Sequence, residues 1–140
     1  RYDGEKRAIP GLIENALLES DEFKIMAICP EYRVFNKAPR DKIMLTESGD
    51  QIVNGHGEMV FEDGRPVTAL FLSSVNALIE EIEAFSPDIF ILKEKSPSCG
   101  VRRTFIYEKG WNNGCGLFTA LLKERFKNAQ FLTEEDERCL

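Results

Sequence analysis

The sequence of 140 residues is short of several things, and each shortage narrows what the protein does. Histidine occurs once, as His56 between two glycines in a polar turn; it reads as a surface residue, because a metal histidine needs several partners nearby. Positive charge is in deficit, with 18 Lys and Arg against 24 Asp and Glu and a net charge of -6. That balance argues against a nucleic-acid backbone as the main partner, since phosphate binders carry a basic patch. The pair Arg102-Arg103 is too small to reverse it, although it suffices for one small anion. No apolar run approaches the ~18–20 residues that span a bilayer, so no membrane partner is expected; Ile89 to Leu92 is a core-strand run. The four cysteines, at 29, 99, 115 and 139, contain no C-x-x-C pair. Thioredoxin-type chemistry and a zinc ribbon are therefore poorly supported, and the cysteines are too sparse for a disulfide framework. Reduced thiols in a cytoplasmic protein are the expectation. Arg1-Tyr2-Asp3-Gly4 lacks the apolar core of a signal peptide. The chain starts with Arg rather than Met, so processing or a missing upstream segment is expected.

What is present describes a packed globule, 43% hydrophobic and 30% charged, without repeats or a Gly/Ser linker. One α/β domain over residues 1–140 is expected. Gly11 to Ser20 has helical spacing, and Phe23 to Ile28 reads as a buried strand. A loop with two prolines runs from Cys29 to Arg40. The polar stretch from Thr46 to Gly64 reads as short strands and turns. Val67 to Phe85 carries Leu70, Phe71, Val75, Leu78, Ile79 and Ile82 at helical period, with Pro66 suited to its first turn. Asp88 to Leu92 is a second apolar strand, Gly116 to Phe126 a further helix and Ala129 to Leu132 a third strand. Thr133 is placed to cap a short terminal helix before Cys139. Solid apolar strands separated by helices predict a three-layer, mostly parallel, Rossmann-like sheet with helices on both faces. Three strands are few for such a sheet, so a first strand upstream of Arg1 is expected.

Two cysteines take equivalent places in this plan. Cys29 follows the first strand in Cys29-Pro30-Glu31, and Cys99 lies just past the second in Ser96-Pro97-Ser98-Cys99-Gly100. Loops leaving parallel strands emerge at one carboxyl edge, where open α/β sheets build their ligand sites, so these segments are expected to converge. Pro30 and Pro97 stiffen the loops, and Gly100 permits a tight turn or a close ligand approach. Glu31, Ser96 and Ser98 add polar groups. Asn112-Asn113-Gly114-Cys115-Gly116 leads into a helix whose N-terminus favours thiolates or anions. Each cysteine also has a plainer reading as a small buried hydrophobe, which weighs least for Cys99 in its tight polar loop and most for Cys139.

The strings R-Y-D-G, C-P-E, P-R, G-x-x-V-T-x-x-F, L-K-x-x-S-P-S-C-G and G-x-G-aliphatic-x-x-A-L-L fall here at Arg1 to Gly4, Cys29 to Glu31, Pro39-Arg40, Gly64 to Phe71, Leu92 to Gly100 and Gly114 to Leu122. With them, the chain resembles the thiouracil desulfurase family, long catalogued as a bacterial domain of unknown function. The resemblance implies a 4Fe-4S cluster held by three cysteines with one iron open, and Cys29 and Cys99 as two of the ligands. The third is expected upstream of Arg1, so residues 1–140 by themselves are expected to lack the full ligand set. It implies a small-molecule substrate, a thiolated nucleobase, whose sulfur binds the open iron without net electron transfer. Glu31 would move protons, Ser96 would assist, and Ser98, Gly100 and Asn113 would meet the substrate. The chain departs from the family after C-P-E, where Tyr32-Arg33-Val34-Phe35-Asn36 replaces a glycine-rich segment.

Two further classes remain open at this point. One is a cluster-free enzyme with Cys99 as nucleophile and Glu31 or His56 as base, although neither Cys-His-Asn nor C-x-x-x-x-x-R is present (Phe105 stands six residues after Cys99). The other is a catalytically degenerate binding module. A zinc site drawn from Cys29, Cys99, Cys115 and His56 has no specific spacing to recommend it.

Overall fold

A computed structural model describes residues 21–37 and 39–136. The elements in order are α1 (Pro30–Phe35), β1 (Ile43–Leu45), α2 (Gly49–Val53), β2 (Met59–Phe61), α3 (Thr68–Phe85), β3 (Ile89–Leu92), β4 (Arg103–Ile106), β5 (Gly110–Asn113), α4 (Leu117–Arg125) and β6 (Gln130–Thr133). The helix expected over Gly11 to Ser20, and Cys139, lie outside the described residues; of the terminal helix expected after Thr133, residues 134–136 are described and form a turn instead, in which Thr133 Oγ1 accepts the Glu135 N–H at 3.1 Å.

The longest periodic segment folds as its pattern requires. In α3, Phe71, Val75, Leu78, Ile79 and Ile82 form one buried face, joined in the core by Leu45, Met59, Phe90, Ile106, Leu117, Phe118 and Leu122. Leu70 is off this stripe and 50% exposed. The helix starts where the Thr68 hydroxyl accepts the Met59 N–H at 2.8 Å, which ties it to β2. It ends at Ser86, in the left-handed region at φ 57°, whose N–H returns to the Ile82 and Glu83 carbonyls; Pro87 follows.

The chain is α/β, but its described strands form a mixed sheet and a parallel pair rather than one mostly parallel sheet. In the four-stranded sheet β2-β1-β4-β5, β1 runs antiparallel to β2 and parallel to β4, and β4 antiparallel to β5. The second sheet pairs β3 and β6 in parallel, from Ile89↔Gln130 to Leu92↔Thr133. These two carry the apolar runs that marked them in the sequence. The β4–β5 hairpin left no such mark: alternate residues of β4 face solvent, and β5 is half-buried at best. The polar middle does contain short strands, β1 ending beside it and β2 within it, yet it also holds α2, whose five residues are too few for a period to be read.

Two local expectations are corrected. Phe23 to Ile28 is not a strand among the described residues; Phe23 and Ile25 face solvent while Met26 and Ile28 pack on the core. The segment alternates as a strand does but has no described hydrogen-bonding neighbour, and pairing defines a strand. The loop from Cys29 begins instead with α1, because Pro30 takes the first helical position, where its missing N–H costs nothing.

Candidate active site

Cys29 is the N-cap of α1, exposed, with its Sγ accepting the Tyr32 N–H at 3.4 Å. Glu31, in the first turn of that helix, is turned inward and held at both oxygens. Its Oε2 pairs with Arg40 Nη2 at 2.6 Å, and its Oε1 accepts from Ser98 Oγ at 2.7 Å. The side chains of Arg40 and Glu31 are 3% and 14% exposed, and Ser98 is buried. C-P-E and S-P-S-C thus meet in space, as the sequence predicts, with a carboxylate and a hydroxyl as the contact. Arg33 of the unusual wall turns away from Glu31 to pair with Glu81 on α3, and Phe35 packs against Phe61 at 5.6 Å between centroids.

The segment bearing Cys99 is built from two sides. From below, Glu94 Oε1 accepts the backbone N–H groups of Val101, Arg102 and Arg103 at 3.0–3.1 Å and that of Lys95 at 3.3 Å. Burial pushes this carboxyl up, but the N–H donors of Arg103, Arg102, Lys95 and Val101 outweigh it and hold the group below its ordinary value. From the other side, the loop's carbonyls receive the N-terminal N–H groups of α4: Leu117 N–H donates to Pro97 O at 3.0 Å and Thr119 N–H to Ser98 O at 3.1 Å, while Gly116 N–H reaches Gly100 O at 2.8 Å. A Cβ on Gly116 would stand 2.5 Å from the Ser98 carbonyl. The helix N-terminus expected to favour an anion is therefore spent on the loop itself.

Within the loop, Ser96 Oγ accepts from the Ser98 and Cys99 N–H groups at 3.3 and 3.1 Å and lies 3.1 Å from Ser98 Oγ. Gly100 is required by packing, since a Cβ there would meet the Arg103 and Ser96 carbonyl oxygens at 2.7 and 2.9 Å. Burial pushes the Cys99 thiol up to about 12; a hydrogen bond from Ser98 opposes this, and the charges of Glu31 and Cys29 add to it.

The other candidates do not join this group. Cys115 is buried and its thiol donates to Asp50 Oδ1 at 2.9 Å; burial and that bond push it up to about 12. Asn113 is exposed on β5 opposite Arg103. His56 is exposed in its turn. Among the described residues no three His, Cys, Asp or Glu side chains stand together as metal ligands, which removes the zinc site of Cys29, Cys99, Cys115 and His56. As donors to an iron–sulfur cluster, Cys29 and Cys99 fit in kind, thiolates being the ligands soft iron takes, and they are two where a cubane with one open iron takes three. Arg40 and Glu94 received no role from the sequence. Arg40 had a signal in Pro39-Arg40, whereas Glu94 occupies a variable position of L-K-x-x-S-P-S-C-G and had none.

Comparison with known proteins bears on this geometry. The model of the family described as 2-thiouracil desulfurase matches residues 1–136. The uncharacterized protein YbbK of Bacillus subtilis (strain 168) is 31% identical over 109 residues, covering 74% of this chain and 71% of that protein. Among solved structures, the 4Fe-4S-dependent thiouracil desulfidase TudS matches with a TM-score of 0.72 at 30% identity, over 96% of this chain and 82% of its own. The chain belongs to the 2-thiouracil desulfurase family, a family of enzymes.

Proposed function

We propose that the full-length protein removes sulfur from a thiolated nucleobase of the thiouracil kind by a non-redox, iron–sulfur-dependent reaction. The single observation that carries this reading is the part-buried contact between Glu31 and Ser98, which brings the Cys29 and Cys99 segments to one place. TudS is described as 4Fe-4S-dependent, and it shares the fold at 30% identity. Cys29 and Cys99 would hold two corners of a 4Fe-4S cluster, with the third thiolate expected ahead of Arg1. Such a cluster, when bound, supplies Lewis acidity that polarises the substrate's carbon–sulfur bond.

The chain's own groups do the rest. Glu31 accepts a proton as water adds to the carbon that carries sulfur, and sulfide departs with the electron pair of the broken bond. Ser98 passes a proton between Glu31 and the substrate, and Ser96, 3.1 Å from it, extends the line. Of the residues expected to meet the substrate, Ser98 has the best support. The finer architecture, a three-layer Rossmann-like sheet continued beside the parallel β3–β6 pair, belongs to the same proposal. So does a cytoplasmic location, in keeping with the free thiols of Cys29, Cys99 and Cys115.

The cluster-free reading is weakened at Cys99, a half-buried thiol that its surroundings push up, which makes it a poor nucleophile near neutrality. Anaerobic reconstitution of the full-length protein, followed by iron analysis and sulfide assay with 2-thiouracil, tests the proposal. A brown, iron-bearing protein that releases sulfide is expected. A colourless, iron-free protein, or one that releases none, ends it.

A further inference from the structure

The side chain that grips Glu31 is only partly used. Arg40 sends Nη2 to Glu31 Oε2 at 2.6 Å and Nη1 to the Lys37 carbonyl at 3.2 Å, and its guanidinium lies 5.9 Å from the Phe35 ring centroid. Its Nε is buried and has no hydrogen-bond partner among the described residues. A guanidinium is a planar fork in which Nε–H and one Nη2–H point the same way along one edge, the edge that takes both oxygens of a carboxylate in a bidentate pair. Glu31 occupies one tine only, because its Oε1 is turned to Ser98. The second tine, on the same edge as the Nη2 that grips Glu31 Oε2, has no acceptor among the described residues. A buried charged donor left empty next to a working carboxylate is costly, and such a position is the usual mark of a bound acceptor.

We propose that the Nε–H of Arg40 is a binding site for one small oxygen acceptor next to Glu31: the water that adds to the substrate, and after reaction the carbonyl oxygen that this water becomes. This inference rests on the desulfuration reading above. The water's oxygen bonds to the substrate carbon and one of its protons passes to Glu31. The carbon–sulfur double bond gives its first electron pair to sulfur as the oxygen adds; the remaining bond then breaks with its pair leaving on sulfide, which takes up the second proton, and a carbonyl is left where the thiocarbonyl stood. Arg40 acts by holding the oxygen within reach of the carboxylate and by offsetting the negative charge that grows on it as the proton leaves. The substrate carries sulfur at that position and the product carries oxygen, so the donor distinguishes product from substrate.

The test uses the reconstituted full-length protein with R40Q and R40K, after melting curves and iron content have shown each to be folded and loaded. Titration with uracil and with 2-thiouracil is compared, together with kcat and KM. In R40Q, uracil binding is expected to weaken about tenfold or more, 2-thiouracil KM to stay within about twofold, and kcat to fall roughly 100-fold. R40K keeps the charge but has no parallel pair of donors, so it restores part of kcat and little of the uracil affinity. Should R40Q not fold, R40K carries the test through the same uracil-against-thiouracil difference. Equal weakening of both ligands, or unchanged kcat, overturns the proposal while leaving the desulfuration reading intact. A wild-type protein that releases no sulfide overturns both.

Discussion

Ser98 donates its hydroxyl proton to Glu31 Oε1 at 2.7 Å, across 67 residues of sequence. The contact is part-buried, charge-assisted and backed on its far side by Arg40, so it fixes the direction of both groups. The chemistry proposed for the protein depends on that direction.

Replacing Glu31 by Gln is expected to lower sulfide release about 10²–10⁴-fold while the cluster still assembles. The variant also leaves Arg40 without its counter-charge. Breaking one side of a buried ion pair costs about 3–5 kcal/mol, so the melting temperature falls as well. E31Q/R40M, which removes both charges, is expected to recover most of that stability. Activity assay with calorimetry on the single and double variants checks both points; a fully active E31Q is incompatible with the proton-transfer role.

Glu94→Ala removes the acceptor shared by four backbone N–H groups and is expected to cost about 2–4 kcal/mol. Glu94→Gln keeps an oxygen acceptor and is expected to cost less. The sign of the pH effect follows from the lowered carboxyl: its stabilisation is complete above the ordinary value of 4.5 and is lost as pH falls through the lower folded value. Urea unfolding from pH 7 to pH 3 should therefore show wild type and E94Q converging at the acid end. A gap that widens toward acid would contradict it.

Gly116→Ala places a methyl 2.5 Å from the Ser98 carbonyl, where backbone has to move. The expected loss is about 1–3 kcal/mol of stability, with a displaced Cys99 loop and weaker iron retention. Gly64, whose Cβ would meet nothing, is in a turn at φ 89°, so G64A is the comparison that carries backbone strain without a clash. Iron release to a chelator separates the two: G116A should lose iron faster, whereas G64A should match wild type.

In the iron-free protein, alkylation should begin at Cys29, which is exposed, and lag at Cys99. With its thiol at about 12, Cys99 is thiolate at pH 8 in roughly one molecule in ten thousand. Its rate should climb about tenfold per pH unit on that account, and peptide mass spectrometry at pH 7, 8 and 9 reads the order directly. Cys99 reacting first at pH 7 would revive the lone-nucleophile reading.

The division between what could be read and what could not follows from range. The sequence alone determined α3, β3, α4 and β6, because each is long enough, or apolar enough, for periodicity or composition to declare it. It also brought C-P-E and S-P-S-C together, a meeting that the Glu31–Ser98 contact shows although the first of the two strands expected to lead there is not formed among the described residues. Only the tertiary structure decided that β1, β2, β4 and β5 form a mixed sheet, for strands of three or four residues, whether covered as β1 and β2 or half-exposed as β4, hold too little local preference to announce a pairing. It alone turned the N-terminus of α4 from an anion site into the support of the Cys99 loop. It alone separated Cys115, bonded to Asp50, from the other two thiols, and set Arg40 and Glu94 as the charges on which Glu31 and that loop rest. A side chain's partner is chosen by what packs beside it after the chain has folded, and a linear pattern holds no record of that neighbour.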